Sequence, residues 1–306
     1  MDSEFSEMTT GFEDLRQSDG WAEYIRWLGW RVEKLGEVKI FIRKLPLVGA
    51  VAKIQRSSEI PSVEEIDEIA KKYRALFVKL EPNVETGHAP SLQKVGKHFE
   101  PDNWSLSSTR TIHLDLTPTE EEIFAKFSKD GRYSIRKARN IGVAVVCKAW
   151  PFLNLRTFHQ LLRETGKRKK FWVAPFKDLE AKVEAFENKS ALIFAYHNHQ
   201  TIAGALILFH DRVAYYHHAA SNIKGRKLLA PYLVVWEAIK LAKKKGCHTL
   251  DLEGIYDPRY KIYKRFRKIG IFKKKFGGRE VEYPGSFIRY YNPLVKLVFK
   301  VASKFS

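Results

Sequence analysis

The sequence predicts a mixed α/β fold (α+β) built as two successive units of similar plan. Three observations predict it. Short runs rich in Val, Ile and Phe alternate with amphipathic helical patterns, the mark of strands and helices sharing one core. A helix, a group of strands, a helix and a strand then recur in the second half. Finally, 306 residues with 44% hydrophobic content suffice for more than one core and exclude a disordered chain.

The elements follow in order. Trp21, Tyr24, Ile25 and Leu28 fall at helical spacing, and Gly29 ends that helix. Val38–Ile42 and Ala50–Ile54 read as strands. Pro61, with Val63, Ile66, Ile69 and Ala70 behind it, opens a capped amphipathic helix to about Ala75. Leu76–Leu80 is a strand stopped by Pro82, residues 83–108 read as polar and irregular, and Thr111–Leu116 is a buried strand. Thr117-Pro118-Thr119-Glu120 starts a helix, with a Thr cap, a Pro in the first turn and three Glu where the helix dipole favours them. Its inner face is Ile123, Phe124 and Phe127. A basic helix, Gly131–Asn140, and a strand, Val143–Val146, complete the first half.

In the second half Leu153–Leu162 and Asp178–Phe186 read as helices. Ala191–Tyr196, Ile202–His210 and Val213–His218 form a strand meander. Leu233–Lys244 is a long amphipathic helix ending at Gly246, and Thr249–Leu252 is a strand. Tyr260–Lys268 reads as helix, Ile271–Phe276 as a basic and apolar stretch, and Val281–Tyr283 as a final strand. This order is the acyltransferase plan known as GNAT, and the first half reads as a degenerate copy. The expected architecture is a pair of tandem GNAT-like acyltransferase domains, 1–148 and 149–290, followed by an amphipathic helix over 291–306. The final strand and tail are free to pack back on the first domain.

The net charge of +19 is unevenly placed. Residues 1–100 hold 15 Lys+Arg and 17 Asp+Glu, whereas 101–306 hold 39 and 18. A surface for a polyanion is expected there: nucleic acid, an anionic membrane or a phosphorylated substrate. The two cysteines, Cys147 and Cys247, exclude a disulfide scaffold and a Cys-rich zinc site, and they fit a reducing compartment. The acidic first residues lack the basic and apolar regions of a secretory signal, and no run of about 18 apolar residues occurs, so a cytoplasmic protein is expected. His197 and His199 sit in a turn. His217 and His218 are adjacent on a strand, where neighbours face opposite sides, so no metal set is expected.

Several segments resemble the Fem family (FemABX) of peptidoglycan bridge transferases. Gln17-Ser18, Trp21 and Gly29-Trp30 are similar to its opening helix, and Leu80-Glu81-Pro82 to its strand-end acidic-Pro element. Leu114-Asp115-Leu116 with Arg132-Tyr133-Ser134-Ile135-Arg136-Lys137-Ala138 resembles its central signature. Ala230-Pro231-Tyr232-Leu233 with Trp236 resembles the start of its long second helix, and Asp251-Leu252-Glu253-Gly254-Ile255 the following strand. Phe272-Lys273-Lys274-Lys275-Phe276-Gly277-Gly278 matches its FKxxFGG motif. The resemblance runs from about residue 17 to 290. The lack of a coiled-coil insertion marks the compact form, and Glu253 stands where the family commonly has Gly.

The resemblance implies an aminoacyltransferase. It would move an amino acid from aminoacyl-tRNA to an amine of the stem peptide of a lipid-linked or nucleotide-linked peptidoglycan precursor, forming the interpeptide bridge. The first domain would bind precursor and the second would face the aminoacyl-tRNA. The aminoacyl ester is already activated, so the chemistry needs an oxyanion stabiliser rather than a covalent nucleophile. The resemblance gives that role to Lys273, with Phe272 shaping the pocket. It gives phosphate or precursor binding to Arg168, a residue type suited to bidentate contacts. Tyr232 and Tyr216 either line an acceptor channel or fill the core. Glu81 either handles the acceptor amine or is structural. The family often has a basic precursor-binding residue four positions after the opening Trp; here Ile25 stands there, with Arg26 next to it.

Arg132, Arg136, Lys137 and Arg139, with Lys264, Arg265, Arg267 and Lys268, are candidates for tRNA phosphates. Two rival readings are an acyl-CoA-dependent GNAT N-acyltransferase and a non-catalytic RNA- or membrane-binding protein. The coenzyme A loop pattern Q/R-x-x-G-x-G/A is met only by Asn222–Lys227, which keeps one Gly and puts Lys227 where a small residue is needed. No cofactor is therefore expected. In the tail, Lys296, Lys300 and Lys304 form one stripe of an apolar helix. That pattern fits either a helix lying on the inner face of the cell membrane or one covering the core. A monomer is expected.

Overall fold

The structure is a computed structural model that describes residues 12–83, 95–148, 152–260, 264 and 266–302. The chain opens with α1 (Asp19–Trp27), β1 (Arg31–Leu35), β2 (Val38–Leu45) and β3 (Gly49–Ser57). Next come α2 (Val63–Tyr73), β4 (Ala75–Pro82), β5 (Glu100–Asp102) and β6 (Arg110–Asp115). Helices α3 (Glu120–Ala125) and α4 (Lys129–Asn140), β7 (Ala144–Lys148), α5 (Phe152–Lys169) and α6 (Phe176–Phe186) follow. The meander is β8 (Ser190–His197), β9 (Gln200–His210) and β10 (Val213–Ser221). The short α7 (Ile223–Lys227), the long α8 (Ala230–Lys244) and β11 (Thr249–Asp251) come after it. The chain ends with α9 (Arg267–Lys273), β12 (Arg279–Glu282), β13 (Ser286–Tyr290) and α10 (Pro293–Ala302).

The expected mixed α/β class is what the chain adopts, with two sheets. One has the order β1-β2-β3-β4-β13-β5 and the other β12-β6-β11-β10-β9-β8-β7. The chain divides into two compact units that interleave along the sequence. One holds residues 112–253 and 268–280; the other holds 13–111, 254–267 and 281–306. The line expected at 148/149 thus runs inside the first of these. The reason is strand pairing: β7, placed before that line, pairs antiparallel with β8, and β6 pairs with β11.

In the unit built on the six-stranded sheet, Ile40, Ile42, Ala52, Ile54, Val78 and Leu80 form the core, closed by Ile66 and Ala70 of α2. The helix is set by a full capping box, Ser62 with Glu65, and ends where Arg74 turns left-handed. The opening motif has a direct physical role. Ser18 caps α1 through the Trp21 N–H, and Gln17 ties two strands by donating to the Gln55 carbonyl at 2.7 Å and accepting from the Lys39 N–H at 2.7 Å. The tail helix α10 and the unexpected strand β13 join this unit, with Phe287 paired to Leu80 and Tyr290 to Phe77, whereas the expected final strand, Val281–Tyr283, overlaps β12, which pairs with β6 in the seven-stranded sheet.

In the unit built on the seven-stranded sheet, β9 is buried continuously from Ile202 to Phe209. Such a strand needs cover on both faces. α5 and α8 both pack on β9 and β10. α3 starts two residues later than expected, because Thr119 and Glu122 form the capping box while Asp115 takes the Thr117 hydroxyl. α5 extends past the expected end to Lys169. At the far end, the helix expected over Tyr260–Lys268 is found later, as α9, while residues 261–263 and 265 lie outside the described residues. Three strands were not legible: β5 is only three residues long, and β1 and β13 are five residues long and carry charged residues within an alternating pattern.

Candidate active site

The FKxxFGG segment is built into the seven-stranded-sheet unit by aromatic packing below it and glycines after it. Phe276 is 1% exposed and touches Phe127 at 5.3 Å, Phe272 at 5.3 Å and Tyr232 at 5.9 Å between ring centroids. Tyr232 and Phe272 lie 4.9 Å apart, edge to face. Gly278 then crosses β6 with φ +86°. A Cβ there would sit 2.5 Å from Leu114 Cδ2 and 2.6 Å from the His113 carbonyl oxygen, so only glycine fits.

This packing presents Lys273. Its Nζ donates to the Glu253 carbonyl at 3.2 Å. Burial lowers its pKa to about 8; the carboxylates of Glu253 and Asp251 oppose that fall, and Lys169 adds to it. The residue as a whole is half-buried.

Glu253 is the hinge of the arrangement. It lies two residues past β11 with φ +60°, a left-handed conformation costly for a side chain with a Cβ. Asp251 holds it there by accepting the Glu253 N–H at 2.6 Å. The Glu253 carboxylate in turn lies 3.2 Å from His217 Nδ1. A bulge in β10 at Tyr216/His218 overturns the expectation that the two histidines face apart: their rings lie 4.4 Å from each other. His218 Nε2 is 3.3 Å from Lys182 Nζ. Burial, then His217 and Lys182, hold its pKa well below the usual imidazole value, so it is neutral at pH 7. His113 Nε2 faces Asp251 Oδ2 at 3.6 Å. A row of buried polar groups thus backs the strand end on which Lys273 rests. Among the described residues, no group of three or more His, Cys, Asp and Glu has the arrangement of a metal site.

Arg168, at the end of α5, lines a cavity of about 500 Å³ with Glu164, Lys167, Asn222, Ile223 and Lys224. Its Nε and Nη2 are buried without a hydrogen-bond partner. Burial and the nearby Arg226 lower its pKa, and the same two arginines act on Lys169. Positive charge is therefore concentrated at this cleft, opposed by Glu164, and the two unpartnered guanidinium nitrogens are suited to holding an anion. The glycine of the neighbouring 222–227 segment is used otherwise. A Cβ on Gly225 would lie 2.1 Å from the Ile202 carbonyl oxygen, so this glycine packs α7 onto β9.

The remaining candidates are dispersed. On α4, Arg136, Lys137 and Arg139 are exposed, but Arg139 pairs with Glu237 at 3.2 Å, and half-buried Arg132 donates to the Ala125 carbonyl at 2.8 Å, capping α3. Lys268 is exposed in the same unit. Lys264 and Arg267 are exposed in the other unit, and Arg265 lies outside the described residues. Tyr216 is buried in the sheet, where desolvation raises its pKa.

Glu81 and Arg26 belong to the six-stranded-sheet unit. The Glu81 carboxylate accepts from Ser105 Oγ at 2.9 Å, the Leu106 N–H and the Ser107 N–H, which makes it a clamp on the 105–107 loop. Arg26 is exposed and pairs with Glu23 at 3.1 Å. The sequence reading missed Glu253, His217, Lys182 and Lys169 as neighbours of the site. One signal was available: a Glu where a Gly is common.

With the geometry in hand, comparison with known proteins is decisive for the family. The FemAB family model matches residues 91–200 and 174–304, which together cover well over half of the chain. The chain belongs to the FemAB family. Among curated proteins it is similar to the lipid II:glycine glycyltransferase of Staphylococcus haemolyticus, with 21% identity over 383 residues, covering 94% of this chain and 91% of the relative. Among solved structures it is similar to FemX, with a TM-score of 0.80 at 18% identity and 98% coverage of both chains. The C-terminal domain of a putative lysylphosphatidylglycerol synthetase from Agrobacterium fabrum shares the fold at a TM-score of 0.62, with 11% identity and coverage of 98% of this chain and 97% of that one. These two likenesses describe the fold. For this FemAB member they agree with the mixed α/β class expected from the order of its elements.

Proposed function

We propose that this FemAB protein transfers an aminoacyl group from aminoacyl-tRNA to an amine of a peptidoglycan precursor stem peptide. The chain is an aminoacyltransferase, and a relative it resembles is named as a lipid II:glycine glycyltransferase. The observation that carries the reading is Lys273. It sits in the family's FKxxFGG segment with a desolvated amine docked on a fixed carbonyl.

In the reaction the acceptor amine attacks the ester carbonyl, a C–N bond forms, and the C–O bond to the tRNA ribose breaks. The departing hydroxyl takes the proton that the amine loses. A lysine ammonium has three N–H donors. The Glu253 carbonyl accepts one at 3.2 Å and so fixes the amine, whose positive charge stabilises the oxyanion of the tetrahedral intermediate. With a pKa of about 8 the group is mostly charged at neutral pH yet poorly solvated, so its field is little screened. Phe272 and Tyr232 wall the approach. Arg168 in its cavity suits the precursor's phosphates, and the exposed α4 residues suit tRNA phosphates. The degraded 222–227 segment, with its glycine spent on packing, disfavours coenzyme A as donor.

The test mixes purified protein with a pool of labelled aminoacyl-tRNAs and a nucleotide-linked or lipid-linked precursor. Label appearing in the stem peptide is expected. Transfer from an acyl-CoA instead, with none from any aminoacyl-tRNA, refutes the reading.

A further inference from the structure

One end of the six-stranded sheet gathers two apolar features that the transfer chemistry does not use. The first is α10, which turns Leu294, Leu297, Val298 and Val301 outward at 72%, 61%, 63% and 50% exposure. These positions make one helical stripe. The opposite side of α10 is docked. Phe299 lies 5.5 Å from Phe77 and 6.0 Å from Tyr290 between centroids, and Lys296 and Lys300 both reach the Glu100 carboxylate. The lysines fasten the helix, so the apolar stripe, and not the lysine stripe, faces away from the unit.

The second feature is the β2–β3 turn. Leu45 pairs with Gly49, and between them Leu47 is fully exposed with φ +65° and Val48 is 60% exposed. This turn shares its end of the sheet with α10. Ala50 pairs with Ala75 at the start of β4, and Tyr290, just before α10, pairs with Phe77 of the same strand. Two strand spacings, about 10 Å, separate β3 from β13. Exposed basic residues edge this end: Lys44 near the end of β2 and Arg74 before β4.

We propose that this face docks on an anionic lipid bilayer. The helix α10 lies in the plane of the interface with its stripe in the acyl boundary, and Leu47 and Val48 insert beside it. Charge selects this occupant: Lys44 and Arg74 are exposed at the edge, and Glu100 is already matched by two lysines. No helix among the described residues is long and apolar enough to cross a membrane. The docking needs none of the transfer chemistry.

The experiment floats the full chain on vesicles of phosphatidylcholine alone and of phosphatidylcholine mixed with phosphatidylglycerol. The intact chain is expected to float with the anionic vesicles, less as salt rises. Leu297→Glu and Leu47→Asp are each expected to weaken binding about tenfold or more, with unchanged circular dichroism and melting temperature. Arg74→Glu is expected to abolish only the preference for anionic vesicles. Absence of flotation, or variants that float like the parent, overturns the proposal. So does a dimer in sedimentation equilibrium that Leu297→Glu dissociates, because the stripe then belongs to a second copy. Transfer to a water-soluble precursor by Leu297→Glu should equal the parent rate, so failure of the docking and failure of the transfer reading are told apart.

Discussion

The pH dependence of transfer offers a sharp test of Lys273, because the neighbours of its amine push its titration in opposite directions. Oxyanion stabilisation needs the ammonium, so activity must fall as pH rises through about 8, the value to which burial brings the group. With that value about nine tenths of the enzyme is active at pH 7 and about one tenth at pH 9. Glu253 and Asp251 hold the pKa up, Glu253 more, and Lys169 pushes it down. Glu253→Gln should therefore move the descending limb to lower pH, and Lys169→Met should move it to higher pH. Lys273→Arg should remove the limb from the measurable range, since guanidinium stays charged. Lys273→Met should cost kcat about 10²–10³-fold, the loss seen when one oxyanion donor is removed, with KM little changed. The assay is single-turnover transfer with saturating acceptor from pH 6 to 10. A limb that persists unchanged in Lys273→Arg, or shifts of the same sign in the Glu253 and Lys169 variants, would refute the assignment.

Three further outcomes follow from the packing. Gly278→Ala forces a Cβ into the His113 carbonyl at positive φ, so thermal unfolding should show a loss of at least about 1–3 kcal/mol. Arg168→Gln removes a poorly compensated cation beside Arg226 and should leave melting unchanged or slightly raised, while KM for a phosphate-bearing precursor rises more than kcat falls. Lys53, 4.6 Å from the Trp30 ring, is lowered to about 8 by burial, with Glu81 opposing, from an ordinary 10.5. Between those values the unfolded chain binds the extra proton, so Lys53 makes stability rise with pH, and Lys53→Met should flatten that rise in urea unfolding at pH 7.5 and 9.5.

Legibility in the sequence followed the range of the interaction. Helices whose signals are local were readable: Ser62 with Glu65 and the apolar spacing of α2 need no tertiary information. The meander was readable because β8, β9 and β10 are long and apolar. β1 and β13 were not, since their pairing is decided by β2 and β4 rather than by their own pattern. The interleaving of the units escaped for the same reason: nothing local tells β7 to pair forward with β8. At the site, Lys273, Phe272 and Tyr232 were named from motifs, and the aromatic contacts among Tyr232, Phe272 and Phe276 give two of them a physical basis. His217 was misread because a bulge resets strand alternation, and a bulge leaves no mark in composition.

The net charge itself needs a different reading once each cation is placed. Much of the basic excess is consumed inside the fold. Arg132 satisfies carbonyls at the end of α3, Lys243 does so at Leu116 and Pro118, Lys274 and Lys275 pair with Glu280 and Asp130, and Lys296 and Lys300 share Glu100. Exposed, paired cations of this kind add little to stability and little to ligand affinity. At the candidate site the cations that matter for an anionic substrate are the desolvated ones: Arg168, with Lys169 and Arg226 near it, and Lys273 on the Glu253 carbonyl. An overall excess of +19 therefore says less about affinity than these short-range groups do. Salt should accordingly weaken encounter with tRNA far more than it weakens the chemical step, because exposed α4 charges are screened and the buried Lys273 amine is not.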